Sequence, residues 1–205
     1  MTTILAFLAA AFLLAITPGP GLAYVVARTV SGGRREGLAS CFGTALGGLV
    51  HVVAAALGLS IVLAQSAWAF TLVKYAGAAY LVYLGVRLMM RRVDGGAPPA
   101  VESRGVKRAL VEGITVEALN VKTALFFVAF LPQFIDPAGS VPVQLLVLGS
   151  TCVGLNTGAD VVAVVAAGRL LRSGAARAAR ARLMNRVSGA TMIVLGASLA
   201  MARKP

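Results

Sequence analysis

The chain has 205 residues, of which 59% are hydrophobic and 13% are charged, with a formal net charge of +12 and a mean hydropathy of +0.87. Soluble domains carry about 25% charged residues, so the composition excludes an ordinary soluble protein. The positive charge would suggest nucleic-acid binding in a soluble protein, whereas in a membrane protein it indicates which loops face the cytoplasm. We therefore predict an all-α integral membrane protein that binds no nucleic acid.

Six apolar stretches each reach the length of about 20 residues that a helix needs to cross the hydrocarbon core. They cover residues 4–27, 38–64, 71–90, 109–135, 141–167 and 183–202. The first stretch lacks a preceding positive segment and stays apolar beyond Pro20, which favours a retained span over a signal peptide. We therefore predict six transmembrane helices.

The first predicted span is interrupted near its middle by Thr17-Pro18-Gly19-Pro20. Each proline lacks a backbone N–H and its ring clashes with the preceding turn, so a regular helix cannot continue through this motif. Lipid cannot bond the freed peptide groups, and such backbone is tolerated only where it is buried in protein or lines a polar cavity. Many transporters build substrate sites in this way, so we predict a broken first helix with Thr17, Pro18, Gly19 and Pro20 at the substrate.

The basic residues are unevenly distributed over the predicted loops. Most of the 19 lysines and arginines follow spans 1, 3 and 5, including Arg28, Arg34 and Arg35 after span 1. The positive-inside rule places these three loops in the cytoplasm and both termini outside. We expect their arginines to set the topology and to contact anionic lipid rather than a macromolecular partner.

The longest hydrophilic segment, residues 91–108, forms a linker between a first repeat at residues 1–90 and a second at residues 109–205. Because each repeat has an odd number of crossings, the second enters the membrane from the opposite side, which gives inverted topology. Asn120-Val121-Lys122 lies near the middle of span 4, at a depth similar to that of the proline motif in span 1. We expect Thr17 and Asn120 to cap the helices that begin after these two positions.

Small residues mark the second span of each repeat. Gly43 and Gly47 in span 2 are four residues apart, as are Gly154 and Gly158 in span 5. Glycines at this spacing form a flat helix face that another backbone can approach closely. We interpret both pairs as positions of tight helix packing.

Four ionisable residues, His51, Glu117, Lys122 and Asp160, are predicted to lie within the hydrocarbon, where each is costly unless it faces a cavity or a partner. His51 is predicted to take part in proton coupling, although a neutral histidine bonded across helices fits equally well. Asp160 is predicted to carry protons, with a substrate ammonium or a structural pair with Lys122 as alternatives. Lys122, close to Asn120, is predicted to bind a substrate carboxylate, unless it pairs permanently with Asp160 or Glu117. Glu117 is placed near the cytoplasmic rim.

The two cysteines, Cys41 and Cys152, lie in spans 2 and 5. Buried thiols in apolar helices usually act as small hydrophobic side chains. A transmembrane thiol-disulfide oxidoreductase is the alternative, although neither cysteine belongs to a Cys-x-x-Cys motif. One histidine and two distant cysteines do not form a ligand set, so no metal site or cofactor is predicted, and a metal-ion exporter is the weaker option within transport. No enzymatic activity is predicted.

Four segments together resemble the LysE/RhtB family of small amino-acid exporters, the lysine and the homoserine/threonine exporters. They are Thr17 to Pro20, residues 37–58 with His51, residues 74–85 and residues 126–134. The resemblance covers nearly the whole chain and implies proton-driven export of amino acids or related metabolites across the bacterial cytoplasmic membrane. Members typically carry Asn-Pro-Lys in span 4, whereas this chain has Val121 in place of that proline, so the second break loses its strongest cause. Asp160 corresponds to an acid often present in span 5 of such proteins.

The sequence thus predicts a multi-pass exporter of amino acids or related small metabolites that works by proton antiport. Its expected partners are the substrate, protons and membrane lipids, and a homo-oligomer is compatible with this scheme. The predicted substrate-binding residues are Thr17, Pro18, Gly19, Pro20, Asn120 and Lys122, and the predicted proton-coupling residues are Asp160 and His51. Specificity depends on pocket dimensions that no motif encodes, so the sequence does not identify the amino acid.

Overall fold

The computed structural model describes residues 2–59, 67–90, 102–170 and 174–201, and within these ranges the secondary structure is helical, without strands. The helices are α1 (Thr2–Ile16), α2 (Pro20–Ala54), α3 (Ala67–Met90), α4 (Val106–Ala118), α5 (Val121–Leu125), α6 (Val141–Leu170) and α7 (Gly174–Met201). A π-helical turn follows α2 at Ala55–Leu59, and π and 3-10 turns extend α5 from Phe126 to Phe134. Most of the predicted linker, residues 91–101, and the predicted ends of spans 2 and 6 lie outside the described residues.

The chain is broken at both positions where the sequence shows an anomaly. Helix α1 ends at Ile16 and α2 begins at Pro20, as the proline motif predicts. The second break separates α4 from the segment that starts with α5, and the two are bent by 43°. Asn120 causes this break without a proline, because its backbone is extended (φ −75°, ψ 101°) and its side chain accepts the backbone N–H of Lys122.

Between predicted spans 1 and 2, at residues 28–37, the chain has no irregular loop, because α2 consists of two helical stretches that meet at a kink at Gly33. Gly33 has φ 73° and ψ −172°, a backbone conformation that side chains with a Cβ rarely adopt, and residues on both sides of it are helical. Arg34 and Arg35 therefore lie on a helix rather than in an irregular loop. Hydropathy did not reveal this, because a basic stretch lowers the apolar average whether or not the backbone is helical.

Helix lengths support a membrane protein. Two described helical segments, Pro20–Gly58 and Val141–Ala167, are long and apolar enough to cross a membrane, and the bent pair Val106–Ala118 and Val121–Phe134 makes a third if it forms one span. Helix α1 contributes a shorter apolar segment, Ile4–Ile16. Many large apolar side chains point outward, such as Phe12, Val50 and Val162, which suits contact with lipid rather than water. The chain is therefore an all-α protein with apolar helices of membrane-spanning length.

Helix α2 packs closely along α4. A Cβ atom on Gly43 would lie 2.2 Å from the carbonyl oxygen of Leu110, and one on Gly47 would lie 2.6 Å from that of Ile114. The prediction of tight packing is confirmed for this pair of glycines. It is wrong for Gly154 and Gly158 within this chain, since nothing among the described residues lies within 4 Å of a Cβ added at either.

The remaining packing brings α2 and α6 together at the centre of the molecule. Helix α6 contacts both α1 and α2, while α3 packs along α7. A large apolar cluster includes Val52 of α2 and Cys152 of α6, and a small one consists of Val25, Cys41 and Val164. Along each of these two helices, a buried polar residue lies between a member of one cluster and a member of the other. This residue is Thr44 on α2 and Asp160 on α6. A polar layer thus separates two apolar regions.

Candidate functional site

The break between α1 and α2 is closed by a side chain from the second half of the chain. The buried ammonium group of Lys122 donates hydrogen bonds to the carbonyl oxygens of Thr17, at 2.9 Å, and Leu14, at 3.3 Å. Leu14 lies in the last turn of α1 and Thr17 directly follows it, where the regular supply of helical N–H groups ends. The Leu14 oxygen still accepts the backbone N–H of Thr17 at 3.2 Å. Gly19 leaves room for this contact, since a Cβ there would lie 3.0 Å from Lys122 Nζ. The two halves therefore meet at the proline motif.

The second break is organised around Glu117, whose side chain is 2% exposed. Its carboxylate accepts hydrogen bonds from Asn120 Nδ2 at 3.0 Å and from the Thr123 hydroxyl at 2.6 Å. Asn120 also accepts the backbone N–H of Lys122 through Oδ1, at 3.1 Å. The predicted cap by Asn120 is confirmed, and Glu117 fixes the same asparagine from the other side of the break.

Glu117 also contacts two elements of the first half. A Cβ on Gly21, in the first turn of α2, would lie 2.4 Å from Glu117 Oε2, so only glycine allows this approach. The ring nitrogen Nε2 of His51 lies 2.9 Å from the backbone carbonyl oxygen of Glu117. Because a carbonyl only accepts, Nε2 carries the proton and donates it to this bond.

Asp160 faces the same region from α6 and is buried. Its Oδ2 accepts a hydrogen bond from the Thr44 hydroxyl at 3.0 Å. No described carboxylate forms an ion pair with Lys122, so the alternatives in which Lys122 pairs with Asp160 or Glu117 are not observed. The ammonium and the two carboxylates lie around one space without neutralising each other in direct contact.

Two adjoining cavities open between these residues. The first, which we call the apolar cavity, is lined mainly by carbon atoms, and the second, the polar cavity, is lined mainly by polar atoms. Each has room for about one water molecule, so an amino acid enters only when the helices move apart. Lining residues shared by the two are Glu117, Asn156 and Asp160; the polar cavity adds Ala15, Thr17, Gly19, Gly21, Leu22, Asn120 and Lys122.

The structure brings most of the predicted site residues together. Thr17, Gly19, Asn120, Lys122 and Asp160 line the polar cavity. Three predicted residues line neither cavity: Pro18 and Pro20 shape the break, and His51 binds the carbonyl beside it.

The predicted cap by Thr17 is wrong. Its hydroxyl donates back to the Leu13 carbonyl oxygen in α1. Gly19 occupies the N-cap position of α2, and no side chain caps it. The reason is that the two prolines place the start of α2 at Pro20, three residues after Thr17, so the threonine belongs to the end of the preceding helix.

Sequence reasoning placed Glu117 at the cytoplasmic rim and so missed a residue at the centre of the site. On one straight helix, residues five positions apart such as Glu117 and Lys122 do not face each other, whereas the break separates the two onto α4 and α5. An acid three residues before the helix-interrupting Asn120 was the available signal. Asn156, Thr44 and Thr123 were also missed, because polar uncharged residues are common in membrane helices.

A buried ion cluster lies beside the kink of α2 at Gly33, among residues that line neither cavity. Arg28 is 2% exposed and forms ion pairs with Glu112 and, at 3.9 Å, with Glu36. Its guanidinium also bonds the Tyr24 hydroxyl and the carbonyl oxygen of Glu102. The prediction that this arginine contacts lipid is therefore wrong, since it joins α2 to the segment that begins the second half.

The two cysteines are free and buried, and they lie in different apolar clusters. Cys152 lines the apolar cavity, whereas Cys41 packs with Val25 and Val164. No observation favours the oxidoreductase alternative over two hydrophobic packing roles. Among the described residues, no group of three or more His, Cys, Asp and Glu side chains is arranged to hold a metal ion.

Comparison with known proteins gives one family and several relatives. The family model of the LysE type translocator matches residues 12–203. The homoserine/homoserine lactone efflux protein of Salmonella typhimurium is 31% identical over 97% of this chain and 96% of its own length. A leucine efflux protein of an Enterobacter species is 31% identical over 71% of this chain and 70% of its own, and an uncharacterized membrane protein of Vibrio cholerae is 36% identical over 74% of each. No solved structure matches the chain.

Proposed function

This chain belongs to the LysE type translocator family, and we propose that it exports small amino acids from the bacterial cytoplasm in exchange for protons. Two relatives that match it are named as efflux proteins, for homoserine and its lactone and for leucine. The observation that carries the proposal is the closure of the α1–α2 break by Lys122 at a polar cavity that Glu117 and Asp160 also line. An amino acid carries the complementary charges.

The substrate carboxylate binds at the two breaks. Lys122 now donates to backbone carbonyls, which are weaker acceptors than a carboxylate because they carry no net charge. When the helices part, the ammonium exchanges these carbonyls for the substrate carboxylate, and Asn120 and the backbone beside Gly19 complete the contact. Thr17 remains at the wall of the same cavity.

The substrate ammonium binds between the carboxylates of Glu117 and Asp160. Glu117 and Asp160 each line the apolar and the polar cavity. Each carboxylate can accept further hydrogen bonds beyond those that the protein donates, since its two oxygens offer about four lone-pair sites. Asp160 receives one described bond, from Thr44, while Glu117 receives two. Asp160 is therefore the carboxylate with more free capacity.

Proton coupling follows from competition at Asp160. A proton that arrives from outside neutralises the carboxylate, removes the partner of the substrate ammonium and so releases the amino acid outward. His51 is assigned to proton transfer as the histidine beside this site: its Nε2 donates to the backbone carbonyl oxygen of Glu117, which leaves Nδ1 as the ring nitrogen that accepts a proton. Deprotonation toward the cytoplasm resets the site.

The same proposal includes six spans in two inverted halves, residues 1–90 and 109–205, in the cytoplasmic membrane with both termini outside. It rests on the broken lead helix of each half and on the basic side chains after spans 1, 3 and 5. The cytoplasmic side then includes the Arg28 ion cluster, and the exposed apolar side chains face lipid.

The test is efflux of a radiolabelled amino acid from proteoliposomes with an acidic or a neutral exterior. We expect the acidic exterior to accelerate efflux, and Asp160→Asn to reduce that acceleration by about tenfold or more, because a buried charge partner is lost. The matched control is Asp136→Asn, at an exposed turn, which should behave as the unaltered protein.

Two results would contradict the proposal at different levels. Absence of efflux for every amino acid tried would contradict the proposal that the protein exports amino acids. Efflux at the same rate with and without the pH gradient would support export but contradict proton antiport. Unchanged pH acceleration in both Asp160→Asn and His51→Ala would show that protons use other residues.

A further inference from the structure

We propose that the apolar cavity is the subsite for the substrate side chain, and that it selects small uncharged side chains over cationic ones. This inference rests on the proposed function, because it assigns the part of the amino acid that the charged residues leave unplaced. The head group and the side chain of an amino acid are attached to one carbon atom, and the two cavities adjoin at the lining residues that they share, Glu117, Asn156 and Asp160.

The residues found only in the apolar cavity are mostly hydrophobic. They are Leu14, Thr44, Ala45, Gly48, Thr123, Phe127, Cys152, Val153 and Thr157. The three threonine hydroxyls already donate to Asp160, Glu117 and the Val153 carbonyl. No acid lies among these residues, so nothing beyond the head-group carboxylates would neutralise a cationic side chain.

Charge therefore discriminates between substrates at this end. A lysine-like side chain that extends from the head group would place its ammonium against Leu14, Phe127 and Val153, away from water. An unpaired charge in such surroundings is strongly disfavoured. An alkyl side chain at the same place gains from leaving water and leaves no polar group unbonded.

Length is limited by the contact between α2 and α6 across the cavity. A Cβ atom on Gly48 would lie 3.0 Å from Val153 Cγ2, so these two residues define the narrow dimension. Phe127 is held on the adjacent side, since a Cβ on Gly149 would lie 2.9 Å from its ring. Gly48 and Val153 are thus the specificity-determining positions: they are in contact in this conformation, and the gap that forms between them when the helices part sets the length of side chain that fits.

The experiment measures competition by unlabelled amino acids against a labelled, exported amino acid in proteoliposomes. The competitors share one head group and differ in side chain: alanine, 2-aminobutyrate, valine, leucine and lysine. In the unaltered protein we expect the small uncharged competitors to be more effective than lysine by about tenfold or more.

Two variants change the subsite in opposite directions. Val153→Ala enlarges it, and we expect the effectiveness of leucine relative to alanine to rise roughly fivefold or more, the scale of one or two methylene groups. Gly48→Ala narrows it and should lower the same ratio. The control is Val162→Ala, the same substitution at a position on α6 that is 68% exposed, which should leave the ratio unchanged.

The outcomes separate this inference from the proposed function. Competition by lysine equal to that by alanine, or an unchanged leucine-to-alanine ratio in Val153→Ala, would overturn the subsite while export itself stands. Absence of export for every amino acid would instead overturn the proposed function. If Gly48→Ala does not fold, Val153→Ala still decides the question, because the leucine-to-alanine ratio is measured within each variant separately.

Discussion

Lys122 is the residue on which the geometry of the first break depends. Its ammonium is buried and bonded to the carbonyl oxygens of Leu14 and Thr17 at the end of α1, and the Leu14 oxygen also accepts the backbone N–H of Thr17. A buried acceptor that loses its donor costs about 1–3 kcal/mol. The same lysine is therefore both a structural closure in this conformation and the proposed ligand of the substrate carboxylate in the open one.

Replacing Lys122 with methionine separates these contributions from general packing. Methionine keeps an unbranched side chain but cannot donate, so we expect Lys122→Met to lower the free energy of unfolding by roughly 2 kcal/mol and to abolish export. Unfolding in detergent and efflux from proteoliposomes are the two measurements. Lys107→Met, at an exposed position of α4, is the control. Full efflux by Lys122→Met would show that this ammonium does not bind substrate.

Individual residues were predictable where their effect is local. The prolines of the first break and the Asn120 cap follow from backbone chemistry, and both are present. Glu117 was not predictable in the same way, because its position depends on Gly21 and on the bend that separates it from Lys122. A charged residue inside a span indicates a site, but only tertiary structure shows which charges meet.

For the helices as elements, the length of each apolar stretch in the sequence was a good guide to their position. Predicted spans 3 and 5, residues 71–90 and 141–167, fall within α3 and α6. The kink at Gly33 falls between predicted spans 1 and 2, but a single glycine rather than a loop separates the two helical stretches there. Hydropathy reports the cost of leaving water, and it is insensitive to one residue with an unusual φ.

Gly33 provides the test at this scale. Its φ of 73° and ψ of −172° fall in a region that is essentially restricted to glycine, so we expect Gly33→Ala to cost about 1–3 kcal/mol of unfolding free energy. A Cβ there would meet no described atom within 4 Å, so the effect would be one of backbone conformation rather than of crowding. Thermal unfolding in detergent measures it.

Gly158→Ala is the matched control for that experiment. Gly158 also has open space around it, but its backbone is helical, so alanine should be neutral or slightly stabilising. If the two variants unfold at the same temperature, the interruption of α2 at Gly33 is not a constraint that the protein must maintain.

At the scale of the whole molecule, the two halves are joined at two levels. In the middle of the molecule, Lys122 contacts the end of α1 and Glu117 contacts the start of α2. Beside the kink at Gly33, in the part of α2 that we place on the cytoplasmic side, Arg28 binds Glu112 and Glu36. Glu36 accepts hydrogen bonds from the Ser103 hydroxyl and from the backbone N–H of Gly105. Movement of one half against the other must change both sets of contacts.

The sequence predicted the break in the first helix and left the second one open, because Val121 stands in place of the family proline; the structure contains both breaks. Six spans with inverted topology remain a prediction, because two described helical segments, or three with the bent pair, are long and apolar enough to cross a membrane. The pairing of breaks across the halves could not be read from the sequence. It depends on how α2 packs along α4 and α6, which involves many weak contacts rather than one motif.

We propose that the space between the two breaks holds the exported amino acid, and a cysteine at this space can be used to test whether it is occupied. Cys152 lines that space, and Cys41→Ala leaves it as the single thiol. The decisive measurement is the rate at which a small methanethiosulfonate reagent modifies Cys152 in this variant, with and without an amino acid that the same proteoliposomes export. We predict that the rate falls about tenfold when the amino acid is present at ten times its Kd, because occupied sites are protected by mass action. An unchanged rate in the presence of an exported amino acid would place the substrate elsewhere and contradict the account.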